Sequence, residues 1–249
     1  MDSKLKKQFG IRSANFDISA SWVTDKMLIR AHTDLAGRVI GRALDLCCGT
    51  GQIGRALRAM GWDVQGLDIC KQMIKVSSRY FPVLEGKAEK MPFESSTFEL
   101  IACRQTFQFL DIKKVLSEIA RLLSPRGSFI LSLTVPFSSK DSRWLCKVHR
   151  IKQPLLLKFY TAQDLIKELE KAGFLIGKTK FIKVRESVTR WMKYAPELSS
   201  RVKKEVIAAI ENSPAAYRQL HNVRIKSGEV FEDWNWMVLK ASFPKNKND

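Results

Sequence analysis

The chain has 249 residues, 45% of them apolar, and carries 43 Lys and Arg against 25 Asp and Glu, a formal charge of +18. That length and apolar share suit a chain that buries a substantial core, and they exclude disorder, collagen and coiled coil. Apolar runs stay short, as in Leu155-Leu156-Leu157, whereas a membrane-spanning helix takes about 20 such residues in succession. The basic start, Met1 to Lys7, has no apolar stretch of the secretory kind behind it, so the expected compartment is the cytoplasm. Five cysteines, Cys47, Cys48, Cys70, Cys103 and Cys146, form no C-x-x-C pair and read as small buried hydrophobes of a reduced protein.

The elements then follow in chain order. Residues 42 to 136 alternate short β-like runs with helical segments. Arg42–Cys47 is a predicted strand, a helix follows Gly51, Asp63–Asp68 is the next strand, and a helix runs to Arg79. Val83-Leu84 and Phe98–Cys103 are further strands. Ile112, Val115, Leu116, Ile119, Leu122 and Leu123 recur at helical spacing, and Ser124 to Gly127 ends that helix before the strand Ser128–Val135. This rhythm predicts a doubly wound, mostly parallel α/β sheet. Residues 137 to 160 read as an irregular basic connection. Thr161-Ala-Gln-Asp164 has the form of a capping box with Asp in place of Glu and opens a helix closing at Gly173. A strand over 174–184, a helical stretch over 186–220 and a last strand over 230–243 complete the pattern, with a polar tail from Pro244.

The positive charge is uneven, with 19 basic and 13 acidic side chains through residue 125 and 24 and 12 after it. It is densest from Lys178 to Lys204, where Lys178, Lys180, Lys183, Arg185, Arg190, Lys193, Arg201, Lys203 and Lys204 meet only Glu186 and Glu197. This is either the solvated face of ordinary elements or a surface for an anionic substrate or a nucleic acid.

Asp45-Leu-Cys47-Cys48-Gly49-Thr-Gly51-Gln-Ile-Gly54 places glycines at a strand-to-helix turn, where a ligand can approach the backbone. The pattern alone fits a nicotinamide or flavin dinucleotide as well. A pyrophosphate on this turn would be opposed by the Asp45 carboxylate, whereas a ligand bearing an ammonium and a sulfonium would be favoured by it. Asp68, 17 residues past Gly51, is placed to accept both ribose hydroxyls of an adenosine.

Asp45-Leu-Cys-Cys-Gly-Thr-Gly51, Gly66-Leu-Asp68-Ile-Cys-Lys-Gln-Met73, Gly86-Lys-Ala-Glu89-Lys-Met-Pro92-Phe93 and Phe98-Glu99 together resemble, in order and spacing, the successive motifs of class I S-adenosylmethionine (SAM)-dependent methyltransferases. The small-molecule branch with the ubiquinone and menaquinone C-methyltransferases is the one it is similar to, over about residues 40 to 136. The resemblance implies a Rossmann-like seven-stranded sheet with a helical cap, SAM as methyl donor and S-adenosylhomocysteine (SAH) as product. By position it implies that Asp45, Cys47 and the Gly49–Gly51 backbone hold the methionine end, Asp68 the ribose, and Ile69 and Met73 the adenine faces. It further implies that Ala88 offers its N–H to the adenine and that Arg104 and Phe107 line the cofactor. Lys87 stands where the family usually has an Asp accepting from the adenine amino group, and a lysine has no acceptor capacity. Its presence weakens that contact or re-routes it through Glu89.

Methyl transfer is an in-line displacement that mainly needs the nucleophile held about 3 Å from the methyl carbon, so no dedicated catalytic residue is required. Candidates for a base are His149 and His221, His32 being the third histidine, and Gln108 is a candidate for positioning the acceptor. Residues 1–40 are expected to form a helical lead-in and lid, with the aromatics from Phe9 to Trp22 near the cofactor. Residues 41–185 and 221–243 are expected to form the SAM-binding core, and 186–220 a helical insertion capping a small, acidic or phosphorylated acceptor. A nucleic-acid methyltransferase and a SAM-binding protein without catalysis are the alternatives, and no metal is expected.

Overall fold

The computed structural model describes residues 2–37 and 41–244. The tail after residue 244 and the junction at 38–40, where the lead-in is expected to end, lie outside the described residues. The chain opens with α1 (Asp2–Arg12), α2 (Phe16–Ser19), α3 (Ser21–Thr24) and α4 (Lys26–Ala36). Asp25 caps α4 by accepting from Leu28 N, which satisfies one of the free N–H groups at the helix start.

Strands and helices then alternate: β1 (Arg42–Leu46), α5 (Gln52–Ala59), β2 (Asp63–Asp68), α6 (Lys71–Ser77), β3 (Val83–Glu85), β4 (Phe98–Arg104), α7 (Ile112–Leu122) and β5 (Leu123–Thr134). The spacing of α7 has a direct energetic cause. Val115, Leu116, Ile119 and Leu122 all fall on one face and are buried against the sheet, each contributing about 1.5–3 kcal/mol of transfer free energy. The second half contains α8 (Ser139–Lys152), α9 (Ala162–Lys171), β6 (Leu175–Ser187), α10 (Val188–Lys193), α11 (Ser200–Glu211), α12 (Ala215–Leu220), β7 (Arg224–Lys226) and β8 (Glu229–Ser242).

The main path of the sheet runs β3-β2-β1-β4-β5-β8-β6, and the short β7 pairs with the start of β8 as an eighth strand. Strands β1 to β5 pair parallel, while β8 lies antiparallel between β5 and β6. The class expected from the sequence, a mostly parallel doubly wound sheet, is the class observed. The chain winds outward from β1 to β3 and then returns to β4 on the other side of β1, so a crevice opens where the order reverses, at the carboxyl ends of β1 and β4.

Two connections differ from the sequence reading. Past the N-cap at Ser138, residues 137–160 are irregular only from Gln153 on, because α8 occupies Ser139–Lys152 behind a full capping box in which Ser138 and Asp141 each accept from the other's backbone. Its buried Leu145 and Val148 stand among so many Lys and Arg that the helical stripe is masked in composition. Strand β6 runs on to Ser187, into the segment read as helical, because its pairing with β8 continues to Ser187 opposite Phe231.

Glycine is demanded most strictly at Gly54. A Cβ there would lie 2.4 Å from Phe81 Cζ and 2.9 Å from an Asp45 carboxylate oxygen. Gly54→Ala is expected to destabilise the fold by about 1–3 kcal/mol through overpacking, read as a lower urea midpoint with an unchanged slope. A midpoint equal to that of the parent chain would contradict the packing assigned to α5 on β1.

Candidate active site

The glycine turn after β1 is built from left-handed backbone. Cys47 has φ 55°, Gly49 φ 53° and Gly51 φ 84°, a region that costs a Cβ-bearing residue energy and makes Cys47 the strained member. Two carboxylates hold this turn. Asp45 in β1 accepts from Gly54 N at 2.7 Å, and Asp68 at the end of β2 accepts from Gly49 N and Cys70 N, each at 2.8 Å. Burial pushes Asp45 up to about 7, an effect that the Gly54 N–H and the Arg104 charge only partly offset. Burial also raises Asp68, against its two N–H donors.

A cavity of about 440 Å³ opens over this turn, within the range of small-molecule sites. Asp45, Cys47, Gly49, Asp68, Ile69, Met73, Lys87, Ala88, Glu89, Arg104, Gln108 and His149 all line it. Two other expected ligands do not. Phe107 is fully buried and stacks on Phe129 at 5.8 Å, because its turn points the ring under the sheet. Gly51 is the N-cap of α5 and packs against Ser77 and Phe81, so its part is in shaping the turn.

Lys87 lines the cavity without closing it. Its ammonium is drawn to an ion pair with Asp2 at the start of α1, and the side chain remains 60% exposed. Asp2 itself lines the cavity, so α1 brings a carboxylate to the place where position 87 lacks one.

The lead-in is fastened to the sheet edge by polar contacts that sequence reading did not find. Asp17 accepts from Thr50 Oγ1 at 2.6 Å and from Gln52 Nε2 at 2.9 Å. Arg104 donates to Trp22 O at 3.3 Å and Val23 O at 3.1 Å, with its guanidinium 5.1 Å from the Trp22 ring centre. Burial lowers Arg104 to about 10, although Asp45, Asp17 and Asp25 favour its charge. Glu186 of β6 accepts from Ser21 N at the start of α3.

The three histidines separate by environment. His221 does not reach the cavity: its ring nitrogens face Asp233 O and Asp141 Oδ2, both at 2.9 Å, and it stacks on Tyr217. It ties the end of α12 to α8 and is no base for the acceptor. His32 bonds Leu28 O and Ser132 Oγ, both at 2.8 Å, inside the core. His149 lies among Phe159, Trp191 and Trp234, and burial together with nearby positive charge lowers it to about 3. It is therefore a neutral imidazole at physiological pH.

Three buried polar atoms on the wall have no partner among the described residues: Gln108 Oε1, Thr134 Oγ1 and His149 Nε2. Burying such groups unpaired costs about 1–3 kcal/mol each, so their convergence on one cavity points to a ligand that satisfies them. The Gln108 amide group is fixed by donation to Gln105 O at 2.8 Å, which leaves its carbonyl facing the cavity.

The comparisons with known proteins agree with this geometry. The family described as methyltransferase domain matches residues 44–131. The uncharacterized methyltransferase YcgJ of Bacillus subtilis is 31% identical over 99 residues, 36% of this chain and 39% of that protein. A demethylmenaquinone methyltransferase of Chlorobaculum tepidum is 29% identical over 113 residues, 43% of this chain and 47% of that one. The chain thus spans less than half the length of these curated relatives. The crystal structure of Bacillus subtilis YcgJ superposes with a TM-score of 0.74 at 17% identity, covering 88% of this chain and 97% of that one. Geranyl diphosphate C-methyltransferase from Streptomyces coelicolor, solved with Mg2+, geranyl diphosphate and SAH, gives 0.61 at 13% identity over 88% and 79%. At such identities the likeness is one of fold. No described helix is long and apolar enough to cross a membrane, and no group of acidic, His and Cys side chains among the described residues could hold a metal ion. Residues 44–131 match the methyltransferase domain family, and the chain resembles the class I SAM-dependent methyltransferases, quinone C-methyltransferases included, in its motifs and has their Rossmann-like fold.

Proposed function

We propose that the chain transfers a methyl group from SAM to a small-molecule acceptor held in the aromatic part of the cavity. The observation that carries this is the pair of buried carboxylates, Asp45 and Asp68, at the ends of adjacent strands beside a left-handed glycine turn. Each Asp68 oxygen spends one lone pair on a backbone N–H and keeps another for a ribose hydroxyl. Asp45 has one oxygen on Gly54 N and offers the other to the ammonium of the methionine end. Ile69, Met73 and Ala88 form the adenine walls, with Asp2, Lys87 and Glu89 at its edge. When bound, SAM supplies a methyl on a sulfonium for in-line transfer to the acceptor.

The protein's own part is to exclude water and aim the acceptor. Gln108 Oε1, Thr134 Oγ1 and His149 Nε2 orient it, and His149, held neutral and too weakly basic to keep a transferred proton, acts by accepting a hydrogen bond. The described lead-in, 2–37, acts as lid and residues 188–220 as cap over the core of 41–187 and 221–243. The demethylmenaquinone methyltransferase among the relatives and the geranyl diphosphate enzyme among the neighbours favour a small acceptor with an apolar body.

The raised pKa of Asp45 gives a test. Folding holds its proton more tightly than the unfolded chain does, so its stabilising contribution, present in acid, is lost as pH rises through about 7. A cationic ligand needs the ionised form and so competes with that proton. SAH affinity measured by calorimetry is expected to fall by about tenfold per unit as pH drops from 7 toward 5, with NAD failing to bind at any pH. An affinity for SAH that does not change with pH, or tight binding of NAD, would overturn the assignment of Asp45.

A further inference from the structure

Helix α1 lies along the cavity. Asp2, Leu5, Phe9 and Arg12 all line it, and ten residues of helix span about 15 Å. Its first turn meets Lys87 after β3, and its last turn meets Glu197 between α10 and α11. At this second end two cations face the cavity, Arg12 and Lys152. Glu197 is not on the cavity wall. It stands behind them, accepting from Arg12 Nε at 2.9 Å and lying 3.7 Å from Lys152 Nζ.

Lys152 is the anomaly. Its side chain is 2% exposed, yet its ammonium, with three donors, makes no hydrogen bond among the described residues. Its other neighbour is the Trp191 ring, 5.1 Å away. An ammonium this buried, with one ion pair too long for a hydrogen bond, is costly and is seldom retained without a use. Trp191 in turn meets Trp234 edge to face at 4.8 Å, giving flat apolar walls beside the charge.

We propose that the acceptor carries an acidic group, a carboxylate in the simplest case, and that this group docks between Arg12 of α1 and Lys152 of α8 while its apolar, ring-like body lies against Trp191. The proposal rests on the methyl-transfer reading above and names the class of its acceptor. Arg12 supplies a guanidinium edge already oriented by Glu197, and Lys152 supplies the unfilled donors. The acid thereby bridges α1 to α8, so acceptor binding holds the lid down over the cofactor. The groups that set the charge at Lys152 are Arg12 from α1, Glu197 from the α10–α11 loop, Lys203 from α11 and, on its own helix, His149. Burial and the neighbouring Arg12 lower its pKa, and an arriving anion favours the charged ammonium, so docking weakens as pH rises.

The nine Lys and Arg of the exposed basic stretch 178–204 do not line this site, although Trp191 and Glu197 of the same stretch help to build it. Among its described residues only Trp191 and Tyr194 line the cavity, and its nine Lys and Arg face elsewhere. The acidic acceptor expected from that stretch is thus recast on two cations outside it.

The test uses 2-naphthoate and its uncharged isostere 2-naphthamide, titrated into the protein with and without saturating SAH. Charge-assisted bonding predicts that naphthoate binds at least about tenfold more tightly than naphthamide. Lys152→Met and Arg12→Gln, made separately in case one fails to fold, are each expected to bring that ratio below about threefold while leaving SAH affinity unchanged. Naphthoate affinity is expected to decline from pH 7 to pH 9. Equal binding of the two probes to the parent protein, or a preference that survives in a folded variant, overturns the proposal. Loss of SAH binding with the naphthoate preference intact would instead sink the cofactor reading and leave the anion subsite standing.

Discussion

Asp68→Ala is expected to weaken SAH binding by at least about a hundredfold, because two hydrogen bonds to a buried carboxylate, each worth about 1.5–3 kcal/mol, are lost together. Part of that loss would be structural, since Asp68 also holds Gly49 N and Cys70 N. Asp68→Asn separates the two contributions. It keeps the shape but turns an amide NH2 toward one of the two backbone donors, so its affinity should fall between the parent and the alanine variant. Calorimetric titration beside a thermal melt gives both readings. An alanine variant that binds SAH within about threefold of the parent would remove Asp68 from the cofactor site.

The second large effect is on stability and lies away from the cofactor. Asp141 accepts from Phe137 N and Ser138 N, both at 2.8 Å, and from His221 Nε2 at 2.9 Å. Among the described residues nothing else satisfies that face of the His221 ring. Asp141→Ala therefore removes the cap of α8 and strands a buried polar ring, and a cost of about 3–5 kcal/mol is expected. His221 and the two backbone donors hold the Asp141 carboxyl below the usual carboxylate range in spite of burial. A depressed pKa contributes stability above the unfolded value near about 3.9 and loses it as pH falls through the folded one. The gap between parent and variant in urea unfolding should thus be full at pH 7 and shrink below about pH 3.9. A gap that is constant down to pH 2 would mean that the loss comes from packing alone.

Local features were the legible ones. Asp45 and Asp68 could be read because turn, strand end and glycines are neighbours in sequence, and the Thr161–Asp164 capping box because it is complete within four residues. Strand β2 falls on the expected residues, 63–68, for the same reason. What required the tertiary structure was everything assembled from distant segments. Arg12 and Lys152 look in sequence like ordinary surface cations and become partners only through Glu197, 185 residues after Arg12. His221 and Phe107 sit at plausible distances along the chain, but the direction of each ring is set by what packs around it. The stripe Leu145, Val148 and Ile151 was a signal that could have found α8, had its cationic neighbours been given less weight.

The placement of β8 bears on how the chain reaches this state. Strand β6, thirteen residues long, has β8 as its only strand neighbour among the described residues, and β5 has β8 on its outer side. During synthesis neither edge can be covered until residues 229–242 have been made, although the parallel half of the sheet is complete in sequence about a hundred residues earlier. Late insertion of a strand between two others is slow, since the entropy of long-range closure is lost before its contacts form. An open β5 edge and a half-formed β6 are also sites for pairing with another nascent chain. The lysines spread along β6, Lys178, Lys180 and Lys183, repel such partners while the strand waits.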